Sequence, residues 1–203
     1  MGVLPNIPDR TLLDRAAPSF TDTGPVILYF GTLSWQPNIE GLERILTAVL
    51  PGVLQQVPEA RLIVAGVGAS RALAARVATT EGAEFRGQVD DPEPLYRSAR
   101  VLIDATRSGG GTRLKVLNAF ARGIPAVTTT RAAEGLEVTP GEHLLVADSA
   151  AEFIEAVLSL LRDGDRSRAI SENARALVRA HYIAEIAYRP LDEALARISA
   201  GGS

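Results

Sequence analysis

The stretch GGGTRLKVLNAFARG, Gly109 to Gly123, gathers the residues best suited to chemistry in this chain. Gly109, Gly110 and Gly111 lead to Thr112, and a helical pattern then runs to Arg122. Gly123 is placed as the residue after the helix, and Ile124-Pro125 carries the chain onward in extended form. Thr112 is a good N-cap, because its hydroxyl accepts from a free N–H of the first turn. Arg113 and Lys115 fall in that turn, where the helix end already carries partial positive charge. Each cation there costs a few tenths to about 1 kcal/mol, and a bound anion reverses the sign. Free N–H groups, a glycine approach and two cations together describe a phosphate site. The competing reading is a tight turn before a solvated helix end. Lys115 is also the only lysine in the chain.

Helical spacing adds a second group. Gly111, Lys115, Asn118 and Arg122 are separated by four, three and four residues and share one face. Leu114, Leu117 and Ala121 form a neighbouring apolar face, with Val116 and Phe120 beside it. A phosphate at the helix start would place an attached sugar near Asn118.

Composition narrows the ligand class. The 203 residues are 46% hydrophobic and 22% charged, with net charge −3, which argues against nucleic acid and anionic membranes as partners. Yet the window from Ala105 to Ala133 holds Arg107, Arg113, Lys115, Arg122 and Arg131 and no acid. A basic patch on an acidic chain fits one small anion. With no cysteine, disulfides and thiol chemistry are excluded, and His143 and His181 have no partners at metal-ligand spacing. No apolar run approaches the roughly 20 residues of a membrane span, and no secretory leader is visible, so a cytoplasmic location is the expectation.

The elements that must position the patch alternate strand and helix. Segments 26–30, 61–65, 83–85, 101–105, 126–129 and 144–147 read as strands, and the continuous apolar run 26–30 as one buried on both faces of a parallel sheet. Helical patterns fall at about 39–56, where Pro51 predicts a kink or break, and at 70–79, 95–99, 150–162, 166–180 and 184–198. The expected fold is an α/β doubly wound parallel six-stranded sheet with extra C-terminal helices. Residues 1–24, with three prolines and no periodicity, read as a lead-in, and 25–203 as the domain. Ligands of such sheets bind outside the carboxyl ends of the strands, so the loops 31–38, 66–70, 86–91 and 107–112 matter most. Gly66-Val67-Gly68 lacks the third glycine of a dinucleotide fingerprint, which argues against a nicotinamide or flavin enzyme.

The ordered blocks FGTLSWQPN, RLIVAG, FRGQVDD, VLIDATRSGGGTRLKVLNAFARGIPAVTT, EGLEV and GEHLLVAD are similar to those of a known family. From about Pro25 onward the chain resembles the C-terminal domain of family-4 retaining glycosyltransferases of the GT-B fold, one Rossmann-like half of a two-domain enzyme. VLPNIPD, Val3 to Asp9, resembles that family's interdomain segment. The resemblance implies that the chain binds a nucleotide-diphosphate sugar as donor substrate, with no further cofactor. It also implies a missing N-terminal acceptor-binding domain, so the isolated chain is expected not to transfer sugar. Gly109, Gly110, Gly111, Thr112 and the helix start would hold the diphosphate or sugar. Gly31 and Thr32 would approach the phosphates, and the backbone at Gln88 and Val89 would meet the base.

Departures from the family pattern temper this. The family's two glutamates separated by seven residues fall on Gly110 and Asn118. A neutral amide at Asn118 makes a weaker ribose contact than a carboxylate. The family's Arg and Lys after the first strand align with Thr32 and Asn38, and Arg113 and Lys115 are expected to compensate by supplying cations to the same volume. No catalytic residue is assigned. Trp35 is expected to pack within its loop rather than stack on a ligand. A non-catalytic nucleotide-sugar-binding module and another GT-B enzyme such as a sugar epimerase remain as alternatives.

Overall fold

A computed structural model describes residues 6–20, 23–109, 113–189, 191 and 197. Six strands form one sheet: β1 Val26–Phe30, β2 Arg61–Ala65, β3 Ala83–Gly87, β4 Val101–Asp104, β5 Ala126–Thr128 and β6 Leu145–Val146. Their spatial order is β3-β2-β1-β4-β5-β6, and every pairing is parallel. The helices are α1 Gln36–Arg44, α2 Leu50–Leu54, α3 Arg71–Ala78, α4 Glu93–Ser98, α5 Leu114–Ala121, α6 Thr130–Ala133, α7 Ala150–Arg162, α8 Gly164–His181 and α9 Ala184–Ala187. The expected doubly wound α/β sheet is the observed architecture.

Strand alternation divides the core between the two faces. Ile27 and Tyr29 of β1, with Leu62, Val64 and Ile103, pack with Leu42, Leu46, Val53 and Phe153. Val26 and Leu28, with Ile63 and Leu102, pack with Val116, Phe120, Ala174 and Val178. Leu12 and Leu13 join this second cluster. The lead-in is therefore seated on the domain over its described residues, with a 3₁₀ turn at Arg10–Asp14. Arg175 of α8 donates to the carbonyls of Leu13 and Arg15 at 2.6 and 2.8 Å.

Several helix ends differ from the sequence expectation. Helix α1 starts at Gln36, three residues early, because Pro37 fits a first turn that has no N–H partners to lose. The kink or break expected at Pro51 falls just before it, as a π turn between α1 and α2. Ile45–Val49 form a π turn, and Pro51 sits in the first turn of α2, where its missing N–H is not needed. Helix α8 starts at Gly164, two residues early, because Asp163 accepts from Arg166 N–H as the cap. Beyond Ala187 the last helical pattern lies partly outside the described residues.

The end of α7 is closed by a cation from another element. The Arg100 guanidinium, 7% exposed, donates to the carbonyls of Leu160, Leu161 and Thr23 at 3.3–3.4 Å and lies over the Phe20 ring. No carboxylate pairs with it among the described residues. Its role is to satisfy carbonyls that α7 cannot satisfy itself. Arg100→Met is expected to lose about 2–3 kcal/mol of stability, since charged hydrogen bonds vanish and the buried Leu161 carbonyl loses its side-chain donor, whereas Leu160 keeps Ser167 Oγ at 2.7 Å. Urea unfolding measures this, and a loss below about 0.5 kcal/mol would refute the capping role.

Candidate functional site

The chain runs outward from β1 to β2 and β3 on one side and to β4, β5 and β6 on the other. A crevice opens at the carboxyl ends where these directions part. A cleft of about 600 Å³ occupies it, lined by Gly31, Thr32, Trp35, Gly66, Lys115 and Asn118 together with Phe30, Asn38, Val67 and Leu114. Thus Gly31, Thr32, Lys115 and Asn118, four of the sequence-selected residues, meet in one place. Gly110, Gly111 and Thr112 lie outside the described residues, but the N-cap of α5 is Arg113 rather than the expected Thr112, and no side chain caps it.

The loops of this cleft are held by backbone contacts that continue the sheet. Gly31 N–H donates to Ala65, Gly66 N–H to Gly87, and Leu33 N–H to Val67. Gly66 has φ +141°, and a Cβ there would fall 1.7 Å from the Gly31 carbonyl oxygen. The incomplete glycine motif therefore serves the close approach of two strand ends. Thr32 lines the cleft, and its N–H has no hydrogen-bond partner among the described residues.

Lys115 is the cation of the cleft. Its Nζ donates to Asn38 Oδ1 at 2.8 Å and lies 3.3 Å from Asp104 Oδ2. It also sits 5.2 Å from the centre of the Tyr29 ring. Asn38 in turn donates to the Thr32 carbonyl at 2.9 Å, and its own carbonyl accepts from Tyr29 OH at 2.8 Å. Burial lowers the Lys115 ammonium pKa, and Asp104 opposes that shift. The result is a buried polar hub with its ammonium at the cleft wall.

Of the two cations expected to reach this volume, the structure brings only Lys115 to it. Lys115 reaches the Asn38 position from another element, 77 residues away. Arg113 does not supply a second cation to that volume. Its guanidinium turns the other way and donates to the carbonyls of Glu134, at 3.2 Å, and Arg131. The reason is local: Arg113 has ψ +33° and stands outside the helix, so helical projection does not apply to it. Arg122 also leaves the shared face. It lies in a buried pair with Glu93 at 2.9 Å and 4.1 Å over the Tyr96 ring. Leu114, expected on the buried face, is 37% exposed at the cleft mouth because the first helical turn projects past the core.

Gln88 and Val89 follow β3, at the sheet edge, and do not line the cleft. Gly109 has φ +82° and packs under Trp35, whose ring would be 2.7 Å from any Cβ there. Trp35 thus packs against a different loop rather than within its own, is 37% exposed and forms cleft wall. Sequence reasoning missed Asp104. It reads as the end of an apolar strand, and only the fold brings it to Lys115.

A second cavity of about 650 Å³ lies at the ends of β5 and β6, beside Arg107, Arg131, Glu134 and Asp148. Its polar groups are already paired with one another. Arg131 pairs with Glu134, Thr130 donates to Asp148, and Arg107 donates to the Asp148 carbonyl. The smaller cleft, with a cation, a free amide N–H and the Asn118 amide unbonded among the described residues, is the better ligand site.

The profile of the family described as glycosyl transferases group 1 matches residues 24–163. A GDP-mannose-dependent monoacylated alpha-(1-6)-phosphatidylinositol monomannoside mannosyltransferase of Corynebacterium glutamicum is 30% identical over 193 residues, which cover 90% of this chain and 50% of that protein. The chain spans about half the length of the curated relatives it matches. Among solved structures, Anabaena HepE in complex with UDP and glucose aligns with TM-score 0.73 at 17% identity, over 93% of this chain and 54% of that one. The C-terminal domain of the Francisella tularensis group 1 glycosyl transferase LpcC aligns with TM-score 0.69 at 18% identity, over 90% of this chain and 100% of that one. The fold shared with these structures is an α/β Rossmann-like fold with a parallel sheet.

Proposed function

Because the chain belongs to the glycosyl transferases group 1 family, we propose that it is the donor-binding half of a retaining, family-4 glycosyltransferase and holds a nucleotide-diphosphate sugar in the Lys115 cleft. The observation that carries this reading is the convergence of Lys115, Thr32 N–H and Asn118 at the carboxyl ends of β1 and β4. The ammonium would neutralise the diphosphate as it leaves, an electrostatic contribution made without a general base. Asn118 lies one turn deeper on α5, in reach of a ribose hydroxyl. Trp35 and Val67 would flank the base or sugar. No further cofactor is required. The acceptor would be held by a second, N-terminal domain, and the reaction would take place in the cytoplasm. Among the described residues no helix is long and apolar enough to cross a membrane.

Calorimetry of the chain with UDP and GDP tests the reading. Binding of at least one is expected, with no sugar transfer by the chain alone; absence of both at millimolar nucleotide would overturn it. Asn118→Glu is expected to tighten binding by about tenfold, since a carboxylate accepts a charge-assisted hydrogen bond from the ribose. Equal affinity of Asn118→Glu and the parent would remove Asn118 from the ribose contact.

A further inference from the structure

Asp104 is the buried charge that the proposed function does not use. It stands at the end of β4, 3% exposed, and its carboxylate divides its work. Oδ1 accepts from Thr106 N–H at 3.2 Å and Thr106 Oγ1 at 2.6 Å, while Oδ2 faces Lys115 Nζ at 3.3 Å. The ammonium is the more exposed partner and the carboxylate the deeper one. The pair is thus oriented with its positive end toward the cleft.

A lone ammonium at this depth would lose its proton more readily, because burial disfavours the protonated form. The groups that contact it or act on it through their charge decide the balance. Asp104 comes from β4, the neutral Tyr29 from β1, the neutral Asn38 from α1, and Arg113 from the residue before α5. Arg113 repels it, and Tyr29 and Asn38 carry no charge. Asp104 is therefore the one acidic group at contact distance among the described residues.

We infer that Asp104 is a positioning residue, the counter-ion that keeps Lys115 protonated and aimed into the cleft. This role rests on the proposed nucleotide-diphosphate reading only for what the cation is used for. The hold on the cation itself is a property of the empty protein.

Removing the carboxylate has two opposite effects on an anionic ligand. While Lys115 is protonated, the cleft becomes more positive and attracts a diphosphate at least as well. As pH rises, the unsupported ammonium loses its proton earlier than in the parent, and the attraction disappears. Asp104→Asn keeps an acceptor for Thr106, removes the charge and replaces the oxygen that faces the ammonium by an amide nitrogen, which cannot accept from it. The ratio of variant to parent affinity cancels the ionisation of the nucleotide's own phosphates.

Lys115 being the only lysine, ¹³C-lysine labelling of the chain gives one side-chain reporter. Titrating it without ligand should show the Asp104→Asn midpoint at lower pH than the parent; coincident midpoints overturn the inference. In parallel, UDP and GDP affinities are measured by calorimetry at about pH 6.5 and about pH 9.5. The variant-to-parent ratio should fall by about tenfold between them. A uniform loss at both pH values would mean a merely structural role and overturn it. A shifted midpoint with neither nucleotide bound by parent or variant supports the counter-ion role and instead refutes the nucleotide reading. Should Asp104→Asn fail to fold, Asp104→Glu alters the pair's separation while keeping the charge. Its Lys115 midpoint must then differ from the parent's, and no difference overturns the inference.

Discussion

Gly66→Ala is expected to lose about 3–5 kcal/mol of stability and to abolish the cleft with it. The added Cβ would fall 1.7 Å from the Gly31 carbonyl oxygen, and the residue's φ of +141° is itself foreign to L side chains. Both neighbours are backbone, so no rotamer change relieves the overlap. Relief requires β1 and β2 to part at their carboxyl ends, which breaks the donations from Gly31 to Ala65 and from Leu33 to Val67. The same loop residues form cleft wall, so stability and ligand affinity should fall together. Urea unfolding gives the first quantity and UDP or GDP calorimetry the second. An alanine variant within about 1 kcal/mol of the parent would show that the strand ends are not held as tightly as this geometry requires.

Lys115→Met is expected to damage folding and binding through different atoms. For folding, Asp104 would remain buried without its counter-ion, and breaking a buried pair from one side costs about 3 kcal/mol or more. For binding, the cleft would lose its ammonium, and UDP or GDP affinity should drop by at least about tenfold. Adding Asp104→Asn to Lys115→Met separates the two effects. Stability should largely return, because an unpaired charge is replaced by a neutral amide of similar shape. Affinity should not return, because the cation is still missing. Recovery of both, or of neither, would show that the double-mutant cycle has not separated a charge effect from a packing effect.

The sheet was legible because parallel strands are buried on both faces and appear as short apolar runs; 26–30 and 61–65 match β1 and β2 to the residue. Helix starts were less legible, since capping acts outside the periodic pattern. Asp163 draws α8 back to Gly164, and Pro37 lets α1 begin before the first apolar residue. At the site, Lys115 and Asn118 were found from helical spacing, and spacing is what places them on one wall. Arg113 was misdirected by the same rule because it lies outside the helix. Asp104 and Asn38 depend on contacts across three elements, and no local pattern announces such contacts. The blocks that resemble the glycosyltransferase family carry the sequence order of the loops but not the pairing of their side chains.

The hub at the crevice has a consequence for how a ligand can be held. A lysine ammonium has three hydrogens. One is given to Asn38, and the close carboxylate of Asp104 takes another. A phosphate arriving at the cleft therefore finds a single vacant donor on this side chain, and gains a second only by dislodging the protein's own acceptor. On the proposed reading, recognition by Lys115 would be monodentate by supply, and the remaining phosphate oxygens would be met by main-chain amides such as that of Thr32. Affinity for the anion is then shared between a cation that is mostly spoken for and a backbone that folding has already set in place.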